Sequence, residues 1–159
     1  MNKKELLTQL IDHLQQEIDA TLTSANDAHA LASHEQSKPE NQYDTLALEA
    51  AYLAHGQSKR IAEVQRQVML LNHFEFTQYN DESRITIGAL VCIQENEILQ
   101  WFWLLPVAGG VRLKANESEV RTLTPDTPLA KKLLGHYLGD ELVLSLGDKK
   151  MQFEIIELH

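Results

Sequence analysis

Cysteine is almost absent: Cys92 is the single one among 159 residues. One thiol cannot close an internal disulfide, and no Cys/His cluster shows zinc-site spacing. Basic residues are in short supply, with 14 Lys and Arg against 23 Asp and Glu, a formal net charge of −9. Holding a nucleic-acid backbone unaided requires clustered Lys and Arg, so direct DNA binding is not expected. The excess of carboxylates suits a basic protein partner or a bound cation. No apolar run approaches the ~20 residues of a membrane-spanning helix. The start, MNKKELLTQL, is too charged and turns polar too soon for a signal peptide. A cytoplasmic location without a membrane partner is therefore expected. Aromatics are only 6% of residues, which argues against a large aromatic-filled core. Gly109-Gly110 lacks phosphate-loop spacing and no Lys-Ser/Thr follows it. No Gly-x-Ser-x-Gly element is present, so serine-hydrolase chemistry is disfavoured.

What is present is the balance of a folded chain, 43% apolar and 23% charged. Its breakers are shared unevenly. Residues 1–73 hold one glycine (Gly56), one proline (Pro39) and two aromatics (Tyr43, Tyr52). Residues 74–159 hold the other six glycines, three prolines and eight aromatics. The first part reads as helix and the second as sheet, an α+β chain with a boundary at 73/74.

Within 1–73, apolar residues recur at Leu7, Leu10, Leu14, Ile18, Leu22 and Ala25, with Ile11 widening the stripe. The segment HEQSKPEN (34–41) is polar, and Pro39 disfavours helix at Lys38. A second helical run from about Tyr43 to Asn72 has a looser stripe, Leu48, Ala51, Tyr52, His55, Ala62 and Met69. Two long helices joined by a short turn lie antiparallel. About 30 residues at ~1.5 Å each give an arm of roughly 45 Å, expected to project with its turn (34–44) at an exposed tip.

Strands are predicted at 84–93, 98–106, 110–113, 119–123, 141–146 and 151–158, with turns at Glu95-Asn96, Gly109-Gly110 and Gly147-Asp148. One short helix fits between them. Asp126 or Thr127 caps it, Pro128 opens it, Leu129, Leu133 and Leu134 face inward, and Gly135 ends it.

Few residues invite chemistry. His29 and His34 are five apart, poor spacing for one metal on one helix face. His55 reads as a residue of the helix seam and Cys92 as a small core residue. Trp101 and Trp103 share one face of a strand, with Phe102 opposite, either as packing or as an exposed aromatic platform. The tip offers Glu40 and Asp44, with Glu35 farther away and Ser37, Asn41 and Tyr43 as polar neighbours. Carboxylate oxygens are the ligands a hard cation such as Mg²⁺ takes.

The tip stretch SKPENQYDTLALEAAYLAHGQSKRIAEV resembles that of the bacterial Gre transcription-elongation factors, whose acidic tip has the form Gly-Asp-Leu-Ser/Lys-Glu-Asn-Ala-Glu-Tyr. The segment TPDTPLAKKLLGHYLGDELVLSLGDKKMQFEIIEL resembles the C-terminal segment of the same family. Here Thr127-Pro128-Leu129-Ala130, Leu133-Leu134-Gly135 and Gly139-Asp140 fill its pattern. The resemblance implies an N-terminal antiparallel coiled-coil hairpin (1–73) followed by a small FKBP-like sheet domain with one short helix (74–159). It further implies an accessory factor, not itself an enzyme, whose globular domain binds core RNA polymerase at the secondary channel. RNA is then met only through the polymerase. The tip carboxylates Glu40 and Asp44 would help hold a transient Mg²⁺ at the polymerase active centre, where a backtracked transcript is hydrolysed.

The tip also departs from the family. Glu40-Asn41 match its Glu-Asn pair, but Ser37 stands where it has aspartate, Gln36 where it has glycine, and Gln42-Tyr43-Asp44 where it has Ala-Glu-Tyr. Asp44 follows Glu40 by four residues, which on a helix puts both acids on one side. Ser37 favours a rival of the same fold, a non-cleaving channel regulator that competes with Gre factors. A remote rival from another class is a peptidyl-prolyl isomerase, which needs a ring of aromatics that Trp101, Phe102 and Trp103 on one strand do not make.

Overall fold

The structure is a computed structural model that describes residues 2–33 and 46–159. It is α+β: a helical hairpin, then a six-stranded mixed sheet with a short helix. The chain divides into two compact units, Met1–Leu10 with His73–His159, and Ile11–Asn72.

In the sheet unit the strands are β1 (Leu90–Glu95), β2 (Ile98–Leu104), β3 (Arg112–Ala115), β4 (Ser118–Leu123), β5 (Glu141–Leu146) and β6 (Lys149–Leu158). Their order is β3-β4-β2-β1-β6-β5, and all pairs are antiparallel except β2 with β4. Three of the pairs are hairpins, β1–β2, β3–β4 and β5–β6. The β1–β2 turn is Asn96-Glu97, one residue later than the sequence suggests, with φ of 47° and 66°. Two successive positive φ values match the twist of the flanking strands. In the β3–β4 and β5–β6 turns a single residue takes positive φ, Asn116 at 54° and Gly147 at 60°.

The first predicted strand, 84–93, begins instead at Leu90. Ile85 is tied to the exit of the short helix, donating to His136 O (2.9 Å) and accepting from Gly135 N (2.8 Å). Gly88 then turns the chain at φ +100°, which a strand cannot accommodate. The conformation calls for glycine, and a Cβ at Gly88 would also press on the Phe74 ring, 3.0 Å from Cε1.

Helix α3 (Pro128–Leu133) forms as its sequence predicts. Thr127 is the N-cap, its hydroxyl accepting from Ala130 N, and Pro128 takes the first turn, where a missing N–H costs nothing. Gly135 leaves the helix at φ +85°. Ala130 and Leu133 are fully buried, while Leu129 and Leu134 pack at the edge of the same core. That core gathers one sheet face, with Val91, Ile93, Phe102, Leu104, Leu142, Phe153 and Ile155. The alternation of β2 sends Trp101 and Trp103 to the opposite face. Both tryptophans are buried there too.

Helix α1 (Lys3–Ser33) starts within this unit. Gln9 binds the edge strand twice, Nε2 to Lys114 O (2.9 Å) and Oε1 from Lys114 N (3.1 Å). Lys3 Nζ donates to Gly88 O at 2.9 Å. Leu6 and Leu10 are buried, as the first-helix stripe requires, although Leu6 rather than Leu7 is its inner member.

In the hairpin unit α1 pairs with α2 (Leu46–Asn72). Cross-links Glu17–Arg60 and Ser24–Gln57 run in opposite senses along the two chains, so the pair is antiparallel. The inner face of α1 is Ile11, Leu14, Ile18, Thr21 and Ala25. Leu22, expected on the stripe, is largely exposed. The inner face of α2 is Ala54, Gln57, Ile61, Val64, Val68 and Leu71, at steps of three and four. This corrects the predicted stripe: Ala51, Tyr52, His55, Ala62 and Met69 are all exposed. The physical reason is what fills each stripe. Both sets recur every seven residues, but Ser58, Lys59, Gln65 and Arg66 interrupt the predicted one, whereas Ile61, Val64, Val68 and Leu71 fill the 54–71 seam.

Candidate functional site

The residues that carry the expected chemistry, Ser37, Glu40, Asn41, Tyr43 and Asp44, lie outside the described residues, as do Glu35 and His34. What is described is the pair of helices that lead to them, α1 ending at Ser33 and α2 beginning at Leu46. Their seam changes character along its length. Leu14, Ile18, Val64 and Leu71 make an apolar stretch, whereas Thr21, Ala25, Ala54 and Gln57 are small or polar. Small side chains bury little area, so the stretch nearer residues 34–45 is held less by the hydrophobic effect.

Polar contacts take over there. Arg60 grips Glu17 through two nitrogens, Nη2 at 2.7 Å and Nε at 2.8 Å, and reaches Glu63 at 3.4 Å. The hydrogen bond to Glu17 raises the guanidinium pKa above its usual value; desolvation opposes it, and the charges of Glu17 and Glu63 add to the rise. Gln57 Nε2 donates to Ser24 Oγ at 2.8 Å, but Gln57 Oε1 is buried and, among the described residues, has no partner. An unmet buried acceptor is a standing cost in the seam.

The second motif, 127–140, proves architectural. Its threonine and proline start α3 and its first glycine ends it, as described above. Gly139 turns at φ +83°, and its N–H donates to Ile155 O at 2.8 Å. The carboxylate of Asp140 accepts from Tyr137 N (3.0 Å) and faces His136 Nδ1 (2.8 Å). These contacts, the backbone one first, hold the Asp140 carboxyl below the usual carboxylate range. The motif fastens α3 and the start of β5 to the sheet.

The remaining candidates resolve into packing. Cys92 is fully buried, and burial pushes its thiol up to about 11, far from a nucleophile. Trp103 is buried, its Nε1 donating to Gly88 O (3.3 Å) and its ring 5.4 Å from Phe76. Trp101 is nearly buried and stacks on His159 at 5.7 Å, so the pair packs and forms no exposed platform. His55, expected in the seam, is exposed. Among the described residues no group of three or more His, Cys, Asp and Glu is placed to hold a metal ion. Among them, too, no helix is long and apolar enough to cross a membrane. Sequence reasoning missed Gln57, whose polarity hid it from an apolar stripe, and Lys3, which it read only as part of a charged start.

No family model matches the chain, and no curated protein matches it significantly. Among solved structures it is similar to the GreA factor homolog 1 (Gfh1) protein of Thermus thermophilus, at 17% identity and a TM-score of 0.40, covering 94% of each chain. It is similar to Thermus aquaticus Gfh1 at 18% identity and a TM-score of 0.39, over 98% of this chain and 95% of that one. It is also similar to the prokaryotic transcription elongation factor GreA/GreB from Nitrosomonas europaea, at 17% identity and a TM-score of 0.37, over 65% of this chain and 78% of that one. Scores of this size leave the functional reading to the chain's own residues.

Proposed function

We propose that the chain is a transcription elongation factor of the Gre kind, acting on RNA polymerase through the secondary channel. One observation supports this most: two Gre-like stretches, the tip 37–64 and the segment 124–158, stand in the family's order along the chain. The second of them has a physical sense here, since its Thr, Pro and Gly residues are those that cap, start and end α3. In this reading the sheet unit docks on the polymerase and the hairpin carries residues 34–44 to the active centre. The factor is an accessory and performs no reaction alone.

Glu40 and Asp44 supply hard oxygen donors of the kind Mg²⁺ takes, and Ser37 supplies a neutral hydroxyl. The ion, when bound between factor and polymerase, supplies charge stabilisation on the leaving oxygen of the transcript. Glu40 and Asp44 would orient it and the attacking water. Ser37 in place of an aspartate favours a second reading, a regulator that occupies the channel without stimulating cleavage.

Stalled, backtracked polymerase separates the two. Release of short 3′ fragments on adding the chain and Mg²⁺, lost in Glu40→Gln/Asp44→Asn, supports cleavage. Binding without release, together with competition against a cleaving Gre factor, supports the regulator. Failure to bind core polymerase removes both.

A further inference from the structure

A groove of ≈ 500 Å³ opens within the sheet unit, where the start of α1 meets the segment before β1. Its lining includes Lys3, Lys4, Leu7, Phe76, Tyr79 and His159, and no Asp or Glu side chain. The volume falls within the range of small-molecule pockets. Lys3 is half-buried, its Nζ 2.9 Å from Gly88 O and 4.7 Å from the centre of the Tyr79 ring. Among the described residues it has no carboxylate partner. Burial alone lowers its pKa to about 8. The start of α1 is already capped, Asn2 Oδ1 accepting from Lys4 N (3.1 Å) and Glu5 N (3.4 Å). Any attraction for an anion therefore comes from the two ammonium groups and not from free helix N–H groups.

A half-buried ammonium without a counter-ion is a costly arrangement, and an anion entering the groove would relieve it. Phosphate carries a double charge, enough to pair with Lys3 and to attract Lys4, which lines the same groove. Phe76 and Tyr79, with Leu7, give an apolar wall beside them. We propose that this groove binds a small organic phosphate, its phosphate at Lys3 and Lys4 and its planar body against Phe76 and Tyr79. The site lies within the sheet unit.

Adenosine monophosphate is a suitable probe, with adenosine and inorganic phosphate as its separated halves. Amide NMR titration of the full chain should give saturable shifts at Lys3, Lys4, Thr77, Gln78 and Tyr79 with the nucleotide, and weaker ones with either half. Lys3→Met/Lys4→Met should weaken binding by about tenfold or more, the loss expected of two charge-assisted contacts, with the rest of the spectrum unchanged. Calorimetry at pH 8 in buffers of different ionisation enthalpy should show proton uptake on binding, because a bound anion raises the Lys3 pKa. The groups facing Lys3 are Lys4 on its own helix, Tyr79, and His159 with its neighbour Glu157. Lys3→Arg should keep binding and lose the proton uptake. Absence of saturable shifts, binding that survives the double variant, or equal binding of inorganic phosphate alone would overturn the proposal.

Discussion

Gln57→Leu should stabilise the hairpin. The site is half-buried on the inner face of α2, and Oε1 has no partner there. An unmet buried acceptor costs about 1–3 kcal/mol, and leucine removes it. The bond to Ser24 Oγ, at 2.8 Å, is lost in the exchange, which gives back about 0.5–1.5 kcal/mol. Leucine in place of an amide adds on the order of 1 kcal/mol of burial at a half-buried position. The helix propensities of the two residues are close, so they do not decide the sign. The net expectation is a hairpin more stable by about 1–2 kcal/mol. Urea unfolding of the full chain tests this with two probes. Far-ultraviolet circular dichroism follows mainly the two long helices. Tryptophan fluorescence follows the sheet unit, because Trp101 and Trp103 both lie in β2. The dichroism midpoint should rise in Gln57→Leu while the fluorescence midpoint stays. A lowered dichroism midpoint would refute the assignment of Gln57 to an unsatisfied seam position.

Other consequences follow from the same geometry. Leu71→Ala should cost about 2–5 kcal/mol and Leu70→Ala under ~1 kcal/mol, since Leu71 is fully buried and Leu70 is 49% exposed; equal losses in denaturant unfolding would mean that the α2 seam is misplaced. Gly88→Ala should destabilise the sheet unit by about 1–3 kcal/mol, through its φ of +100° and the close Phe74 ring; a thermal midpoint equal to the parent's would count against that turn. Iodoacetamide at pH 8 should label Cys92 in the denatured chain and leave the native chain unlabelled, because the thiol is buried and titrates near 11. Lys3 gives a pH signature. Between about 8 and 10.5 its amine is neutral when folded and protonated when unfolded, so the unfolded state binds more protons and stability rises with pH. Cys92 opposes this between 9.0 and about 11, where the unfolded chain loses its thiol proton first. The parent-minus-Lys3→Met stability difference, measured in denaturant across that range, isolates the rising component, and a flat or falling difference would contradict it.

How far the sequence discloses this molecule depends on how local the signal is. The turns at Asn116 and Gly147 and the whole of α3 are set by a few adjacent residues. Thr127, Pro128 and Gly135 each act within one helical turn of their position. The start of β1 was less legible because Ile85 bonds to residues some fifty positions away, Gly135 and His136. The α2 seam is hidden in the sequence for a different reason. Tyr52 and Met69 are large and apolar yet face outward, while Ala54 and Gln57 are small or polar yet face inward. Single large apolar residues pick the wrong stripe there, and the aliphatic run Ile61, Val64, Val68 and Leu71 at steps of three and four marks the right one. Lys3 belongs to no motif, and its setting comes from Gly88 and Tyr79, far along the chain. The candidate carboxylates were legible only through resemblance, for Glu40 and Asp44 are ordinary surface acids by composition.

The central claim, that this chain works on RNA polymerase through the secondary channel, is tested most directly by equilibrium binding of the full chain to core polymerase, with a Gre factor as competitor. The account predicts saturable binding that the Gre factor displaces. No binding, or binding that the competitor leaves untouched, would contradict it.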